Sequence, residues 1–206
     1  MKQDPRHLGA RCDVCPLGPR GCLRNDEPWV PTPPEEHGSA VVALLEAPAK
    51  EDFLKHRPLA GLDGGEWRRA LTASGLNRKQ IDLHFLVSCM PPDGWKRMEA
   101  SLKRKRKAAE TRLRKNGMSL AEAKHAAAQE LPHPVDCCAP MCHSRLNNYD
   151  YVLALGASPA QSLLDTKRSM SDLDGDMRSL PASRVFRHGA DWSFAEDRLI
   201  KIMPTF

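Results

Sequence analysis

Seven cysteines and one acid have the types and spacing that could do chemistry in this chain of 206 residues. Cys12 and Cys15 form a CxxC pair, which brings two sulfurs onto one tight turn, as zinc and iron–sulfur sites require. The pair is either half of a metal site or a chance spacing. The other half of a site would have to come from the remaining cysteines, which are Cys22, Cys89, Cys137, Cys138 and Cys142.

Glu46 directly follows the apolar run 40–45, which predicts a strand buried on both faces. A carboxylate after such a strand lies at the carboxyl edge of a sheet, where open α/β sheets bind ligands. The alternative is a solvated glutamate in a surface loop. We therefore treat Glu46 as a candidate functional acid.

Strands and helices alternate along the chain, and this predicts an α/β fold of three layers, α/β/α, with a mostly parallel central sheet. Strands are predicted at 40–45, 83–88, 151–156, 184–186 and 198–203. A short helix is predicted at 66–74, and Ser158 with Pro159 predicts the start of another. The stretch 27–37 is predicted to be an extended connector, and 169–183 to be rich in turns.

Residues 96–115 carry ten Lys/Arg against two Glu, a local charge of +8 in a chain whose formal net charge is +5. This segment predicts a helix with a weak apolar stripe, and a capping box at Ser119 and Glu122 predicts a second helix. Together they form a basic helical hairpin inserted at about 95–132. Five consecutive basic residues repel one another unless an anion compensates them, so we favour a phosphate-contacting arm over a solvated face.

The composition, with 41% hydrophobic and 28% charged residues, is ordinary for a soluble domain, and the length allows a single domain over 1–206. No apolar run approaches the roughly 20 residues that span a bilayer, and the N-terminus predicts no signal peptide. We therefore expect a cytoplasmic protein without a membrane partner, whose thiols bind metal or lie buried. We also expect a monomer.

The motifs, taken in order, resemble those of the uracil-DNA glycosylase superfamily, in particular its iron–sulfur branch (families 4 and 5), over nearly the whole chain. The matching segments are CDVCPL at 12–17, EAPAKED at 46–52, RPLAG at 57–61, VSCMPP at 87–92, CAP at 138–140 with VLALG at 152–156, and IMPTF at 202–206. In that family the HPA/HPS motif with its histidine would come directly after Phe206. Each segment alone is weak, but six in the same order are hard to obtain by chance.

The resemblance implies a [4Fe–4S] cluster held by Cys12, Cys15, Cys89 and Cys138. Cys137 is the alternative fourth ligand, and zinc is the alternative metal. It also implies a DNA glycosylase, an enzyme that flips a base out of DNA and hydrolyses its N-glycosidic bond, with Glu46 as the catalytic carboxylate.

The resemblance further implies where DNA and the flipped base would bind. The base pocket would be lined by Ala47, Pro48, Leu59, His84 and Phe85. DNA would be contacted by the proline pair and the basic residues that follow it, namely Pro91, Pro92, Lys96, Arg97, Lys103, Arg104, Lys105, Arg106 and Lys107.

The chain departs from the family at three positions that bear on the base. Leu45 replaces a glycine, Leu59 replaces the aromatic residue that stacks on the base, and Phe85 replaces the asparagine that reads uracil. Because phenylalanine cannot pair with the edge of uracil, we expect a modified or non-uracil base. The alternative functions are an inactive DNA-binding module of the same fold, possible within a larger replication or repair protein, and a metal-stabilised protein-interaction domain.

Overall fold

The computed structural model describes residues 4–23, 29–91, 93–164, 169, 172, 178–181 and 199–205. Its helices are α1 (Lys50–Lys55), α2 (Asp63–Ala73), α3 (Trp95–Lys115), α4 (Leu120–Glu130), α5 (Pro134–Leu146) and α6 (Ala157–Leu164). Its strands are β1 (Val41–Leu45), β2 (Asp82–Phe85), β3 (Tyr151–Leu155), β4 (Arg178–Pro181) and β5 (Leu199–Thr205). Short 3-10 helices lie at Pro5–Leu8 and Arg78–Gln80. Every helix within these ranges is too short or too polar to span a bilayer.

The five strands form one sheet in the order β2-β1-β3-β5-β4. β2, β1, β3 and β5 run parallel, and β4 at the edge is antiparallel to β5. The chain moves from β1 to β2 on one side and then places β3 on the other side of β1. The strand order therefore reverses between β1 and β3, and doubly wound sheets bind ligands at the carboxyl ends of such a pair.

β1 is buried on both faces, as the apolar run predicted. Successive side chains of a strand point to opposite sides, so Val42 and Leu44 pack under α5 and α6 while Ala43 packs under α2. All three residues are 0% exposed. Helices therefore cover both faces of a mostly parallel sheet, and the predicted α/β fold is confirmed.

α3 and α4 lie against each other. Arg112 of α3 pairs with Glu130 at the end of α4 at 2.5 Å. The capping box of α4 is present, because Ser119 Oγ accepts the Glu122 N–H at 3.3 Å and Glu122 Oε2 accepts the Ser119 N–H at 3.0 Å. The two basic-segment helices predicted at about 95–132 are therefore formed.

Several predicted boundaries were wrong. α6 begins at Ala157, before the predicted cap, so Pro159 is its third residue. β2 ends at Phe85 and not at residue 88, although the Leu86 N–H still donates to the Leu45 carbonyl at 2.7 Å. β4 lies inside the stretch 169–183 that was predicted to be turns, and α1 and α5 were not predicted. The predicted strand at 184–186 lies outside the described residues.

Candidate active site and cysteine corner

Glu46 lies at the carboxyl edge of the sheet, where β1 ends. Its backbone carbonyl accepts the Val87 N–H at 3.0 Å, which continues the pairing of β1 with the β2 segment. Its half-buried carboxylate accepts a hydrogen bond from the Ser158 hydroxyl. Ser158 lies in the first turn of α6, directly after β3, so this bond joins the two strand ends where the strand order reverses.

The surroundings of Glu46 favour its neutral form. The pKa of Glu46 lies above the usual value for glutamate because burial disfavours the charged carboxylate, while the Ser158 hydrogen bond lowers it and the negative charge of Glu99 raises it. Glu99 lies in the second turn of α3. The amino-terminal part of the basic helix α3 is therefore close enough to act on Glu46.

The loop that follows Glu46 is held in one shape by Asp52 of α1. This carboxylate is 5% exposed and accepts the Ala60 N–H at 2.7 Å and the Ala49 N–H at 3.2 Å. Within the loop, Leu59 has a φ of 50°, in the left-handed region that branched side chains rarely adopt. Its carbonyl packs so closely on Gly64 that a Cβ there would come within 2.0 Å of the oxygen.

The predicted base-pocket residues divide between the two sides of the sheet. Leu59 packs in the core under α2, whereas Ala47 packs against buried cysteines near α5, and Pro48 is buried. His84 and Phe85 are adjacent on β2 and are both 2% exposed, so their side chains point to opposite faces. The structure therefore separates His84 from Phe85.

Cavities of about 1000, 950 and 200 Å³ lie among the described residues. The largest is bordered by Trp29 and Tyr149, the second follows α2, and the smallest lies between Ala49 and Leu59. Glu46 lines none of these three. The cavity of about 1000 Å³ is thus separate from Glu46.

Five cysteines belong to one apolar cluster, and we call this group the cysteine corner: Cys12, Cys15, Cys89, Cys137 and Cys138. Four of them are buried in a single apolar cluster and Cys89 packs against it. Met98 and Leu102 of α3 belong to the same cluster. Cys22 is exposed and Cys142 is buried in the other core, so neither belongs to the corner. None of the seven cysteines, all of which lie in the described ranges, forms a disulfide.

A proline inside α5 ties the N-terminal part of the corner to the helix. Pro140 has no N–H, so the Asp136 carbonyl one turn earlier loses its helical partner. The Arg11 guanidinium donates to that carbonyl at 3.2 Å, and the Arg11 backbone N–H donates to the Cys137 carbonyl at 2.9 Å. The residue directly before Cys12 therefore fastens the CxxC turn to α5.

The thiols of the corner act on one another. The pKa of Cys138 lies well above its usual value, first because of burial and then because of Cys89, Cys15 and Cys12. Burial also raises the pKa of Cys12 to about 11. The Cys137 thiol donates to Cys15, which lowers the pKa of Cys15 and raises that of Cys137. The raised pKa values favour the protonated thiol at Cys12, Cys137 and Cys138, whereas the lowered pKa of Cys15 favours its thiolate.

The donor set of the corner fits a thiolate-bound metal group. Sulfur ligands on one turn and at two other chain positions suit iron–sulfur clusters and zinc, and binding of the metal would replace the thiol protons. In the described part of the chain, however, no group of three or more His, Cys, Asp or Glu side chains is arranged as a metal site. The thiols are neighbours in one apolar cluster, but they are not placed as ligands.

The predicted DNA-contacting residues have different surroundings. Lys96, Arg97, Lys103, Arg104, Lys105 and Lys107 are exposed, Pro91 is buried, and Pro92 lies outside the described residues. Arg106 is half-buried and donates to the Leu131 carbonyl at 2.8 Å, so it joins α3 to the end of α4. Lys105 donates to the Cys22 carbonyl at 2.9 Å and thereby connects α3 to the cysteine loop.

Sequence reasoning missed Ser158, Glu99 and Arg11 as partners of the candidate site. The sequence pattern predicts Ser158 as a helix cap, and Glu99 is one of two acids in a basic run. Pro140 is the signal that could have indicated Arg11, because a proline in a helix frees a carbonyl. That inference requires α5 to be recognised first.

Neither a protein-family model nor a curated protein sequence matches this chain. The class of the protein therefore rests on its fold and site. It is a doubly wound α/β protein with a half-buried carboxylate where its strand order reverses and a corner of buried thiols.

Replacement of Glu46 by Gln should stabilise the protein at neutral pH. A glutamate whose folded pKa is raised favours folding at low pH, and that contribution is lost as pH rises through the folded pKa. Glu46→Gln should therefore raise the melting temperature at pH 7, and the gain should vanish below about pH 4. The exposed control Glu51→Gln should show no such pH-dependent gain; a less stable Glu46→Gln protein at pH 7 would contradict the expectation.

The metal assignment can be checked by colour and metal content. Purified protein should be brown and contain iron, and Cys89→Ser should lose the visible absorption and lower the melting temperature. Cys22→Ser and Cys142→Ser, outside the corner, are matched controls that should keep the colour, and comparison of Cys137→Ser with Cys138→Ser identifies the fourth ligand. If the protein is colourless and contains stoichiometric zinc, the assigned metal is zinc and not iron. If it contains no bound metal, both assignments are excluded.

Proposed function

We propose that the chain is a DNA glycosylase-like hydrolase that flips a modified or non-uracil base out of DNA and hydrolyses its N-glycosidic bond. The observation that carries the proposal is the position of Glu46. A half-buried carboxylate lies at the carboxyl end of β1, where the strand order reverses, and it is held there by Ser158 after β3. This is the place at which doubly wound sheets bind their ligands.

The chemistry follows from the charge that develops when the bond breaks. The sugar becomes positively charged as the bond to the base nitrogen lengthens, and the base leaves with the bonding electrons. An ionised Glu46 offsets the charge on the sugar and accepts a proton from the water that attacks it. The Ser158 hydrogen bond holds the carboxylate in one orientation, and the raised pKa of Glu46 makes it a better proton acceptor than an exposed glutamate.

The surroundings of β2 support a base other than uracil. Phe85 offers apolar contact and no hydrogen bond, and Leu59 replaces stacking by a branched aliphatic side chain. His84 does not substitute for the missing amide, because its Nε2 already lies 3.0 Å from the Tyr149 hydroxyl on the other face of the sheet.

The cysteine corner supports a structural cofactor. Cys12, Cys15, Cys89 and Cys138 would hold a [4Fe–4S] cluster, with Cys137 as the alternative ligand and zinc as the alternative metal. When bound, the group would supply a cross-link between the N-terminal turn, the segment after β2 and α5. Free thiols of this kind suit the reducing cytosol, where we place the protein as a monomer.

The basic helix α3 would supply the grip on DNA. Its apolar side chains Met98 and Leu102 are buried against the cysteine corner, so the remaining faces carry the charge outward. Lys96 and Arg97 lie within one turn of Glu99, which acts electrostatically on Glu46. The phosphates bound by α3 would therefore lie near the candidate acid.

A second candidate function is a DNA-binding module without catalysis. It is favoured by the substitutions Leu59 and Phe85 and by the absence of Glu46 from the three cavities described above. In that case Glu46 would have no effect on any cleavage, and α3 would retain its role.

Cleavage assays separate the two candidates. The full chain should release a base from oligonucleotides that contain uracil, hydroxymethyluracil or another modified base, with uracil the poorer substrate. Glu46→Gln should lower the cleavage rate by about 10²- to 10⁴-fold, because general acid–base groups contribute that much. Glu51→Gln is the control of equal charge change and should keep full activity. If no substrate is cleaved and Glu46→Gln binds DNA as well as the wild type, the glycosylase proposal is wrong and the DNA-binding module is the function that remains.

The salt dependence of DNA binding tests α3. Each phosphate contact contributes about 0.9 to the slope of log K against log salt, so the double variant Lys103→Gln/Arg104→Gln should reduce the magnitude of that slope by about 2. These two residues are chosen because both are exposed, whereas Arg106 bonds to α4. The control Arg68→Gln/Arg69→Gln removes the same charge from α2. If both variants show the same salt dependence, the basic residues of α3 do not contact phosphates and form a solvated helix face.

A further inference from the structure

A second polar network lies beside β2, on the wall of the cavity of about 1000 Å³. The Tyr149 hydroxyl donates to Asp82 Oδ2 at 2.8 Å and lies 3.0 Å from His84 Nε2. Because the tyrosine proton goes to Asp82, the hydroxyl oxygen accepts from His84, and the proton of that ring is on Nε2. The same N–H faces Glu36 Oε1 at 3.2 Å. The proposed glycosylase chemistry uses none of these contacts.

Each described carboxylate on the cavity wall already has a partner. Asp4 accepts from the Arg6 guanidinium at 3.0 Å. Asp82 accepts from Tyr149 and also from the His37 backbone N–H at 2.7 Å. Glu36 is paired with His84, which lowers the pKa of Glu36. The acceptors of this cavity are therefore largely satisfied within the protein.

The hydrogen-bond donors of the same cavity are not all satisfied within the protein. Thr32 is 1% exposed, and neither its hydroxyl nor the buried indole N–H of Trp29 has a hydrogen-bond partner among the described residues. The Trp29 ring is held by the Arg6 guanidinium, 5.3 Å from its centroid. The partly buried guanidinium of Arg145, on α5, also borders the cavity; it lies within electrostatic range of Glu36 but makes no hydrogen bond or ion pair to a side chain or carbonyl in the described ranges. An unmatched buried donor costs free energy, and two of them border one space together with this guanidinium.

We propose that this cavity binds a small anion attached to a planar body, of the chemical class of nucleoside monophosphates. Phosphate oxygens match the guanidinium of Arg145 and the hydroxyl of Thr32, because arginine and hydroxyl donors bind phosphate well. The heterocycle has apolar surface to contact in Trp29 and the neighbouring prolines Pro31 and Pro33. The cavity is at the upper end of the range that encloses small organic ligands, about 300–1000 Å³.

The site is separate from Glu46. Its wall follows the outer side of β2, from Asp82 at the amino end to Ser88 and Thr32 beyond the carboxyl end, and it does not include Glu46. Glu46 lies at the carboxyl edge of the same sheet. Nucleotide binding here therefore requires no cleavage activity, and it can be tested on the full chain whether or not the glycosylase proposal holds. The same chemistry is offered by a free mononucleotide and by the phosphorylated end of a DNA strand.

Calorimetric titration of the full chain tests the site. Thymidine 5′-monophosphate should bind saturably and at least 10-fold more tightly than thymidine or inorganic phosphate alone. Arg145→Gln should weaken its binding at least 10-fold. Arg68→Gln, which removes an exposed charge from α2 on the other face of the sheet, should leave the affinity unchanged. A 5′-phosphorylated oligonucleotide that binds more tightly than the mononucleotide identifies a strand end as the ligand, and the reverse order identifies the free nucleotide.

Thr32→Val separates a ligand role from a structural one. Valine has nearly the same shape, and the hydroxyl that it removes has no partner in the part of the chain that the structure describes, so the melting temperature should stay equal or rise. The affinity for thymidine 5′-monophosphate should nevertheless fall several-fold. Glu46→Gln should bind the nucleotide as the wild type does. The proposal is overturned if nothing binds saturably, if Thr32→Val and Arg145→Gln bind with wild-type affinity, or if Arg68→Gln weakens binding equally.

Discussion

The burial of β1 on both faces is the constraint on which the rest of the structure depends. Val42 and Leu44 pack in one core and Ala43 packs in the other. A shift of the strand by one residue would turn each of these side chains toward the opposite core, which does not fit it. With its register fixed, β1 must end at the same place relative to β2 and β3. The packing of the residues two to four positions before it therefore places Glu46 at the carboxyl edge of the sheet.

The cysteine corner depends on a backbone hydrogen bond that α5 lacks. Pro140 leaves a carbonyl of α5 without its helical donor, and Arg11 supplies one from the N-terminal segment. The defect in the helix thus becomes an attachment point that brings the CxxC turn to Cys137 and Cys138. A metal bound there would strengthen an arrangement that backbone and guanidinium hydrogen bonds already define, and the apolar cluster of the corner also supports the buried side of α3.

The polar groups of the fold form two separate regions beside one sheet. At the carboxyl edge, a single carboxylate is half-buried beside Ser158, and Glu99 brings the basic helix into its electrostatic range. Along the outer side of β2, paired carboxylates and unmatched donors surround the cavity of about 1000 Å³. His84 belongs to this second group although its neighbour Phe85 faces the other side, because a strand alternates its side chains. One strand thereby contributes to two chemically different environments.

The sequence by itself determined β1, α3 and the capped start of α4, because an apolar run, a helical period and the Ser119–Glu122 box act over a few neighbouring residues. It also placed Glu46 at a strand end. Only the tertiary structure decided α5, whose Pro140 is tolerated through Arg11, and β4, which forms by pairing with β5. Tertiary structure also decided the contact of Ser158 with Glu46, 112 residues apart, and the face of the sheet on which the His84 side chain lies. These depend on contacts between distant segments, and no local preference encodes them.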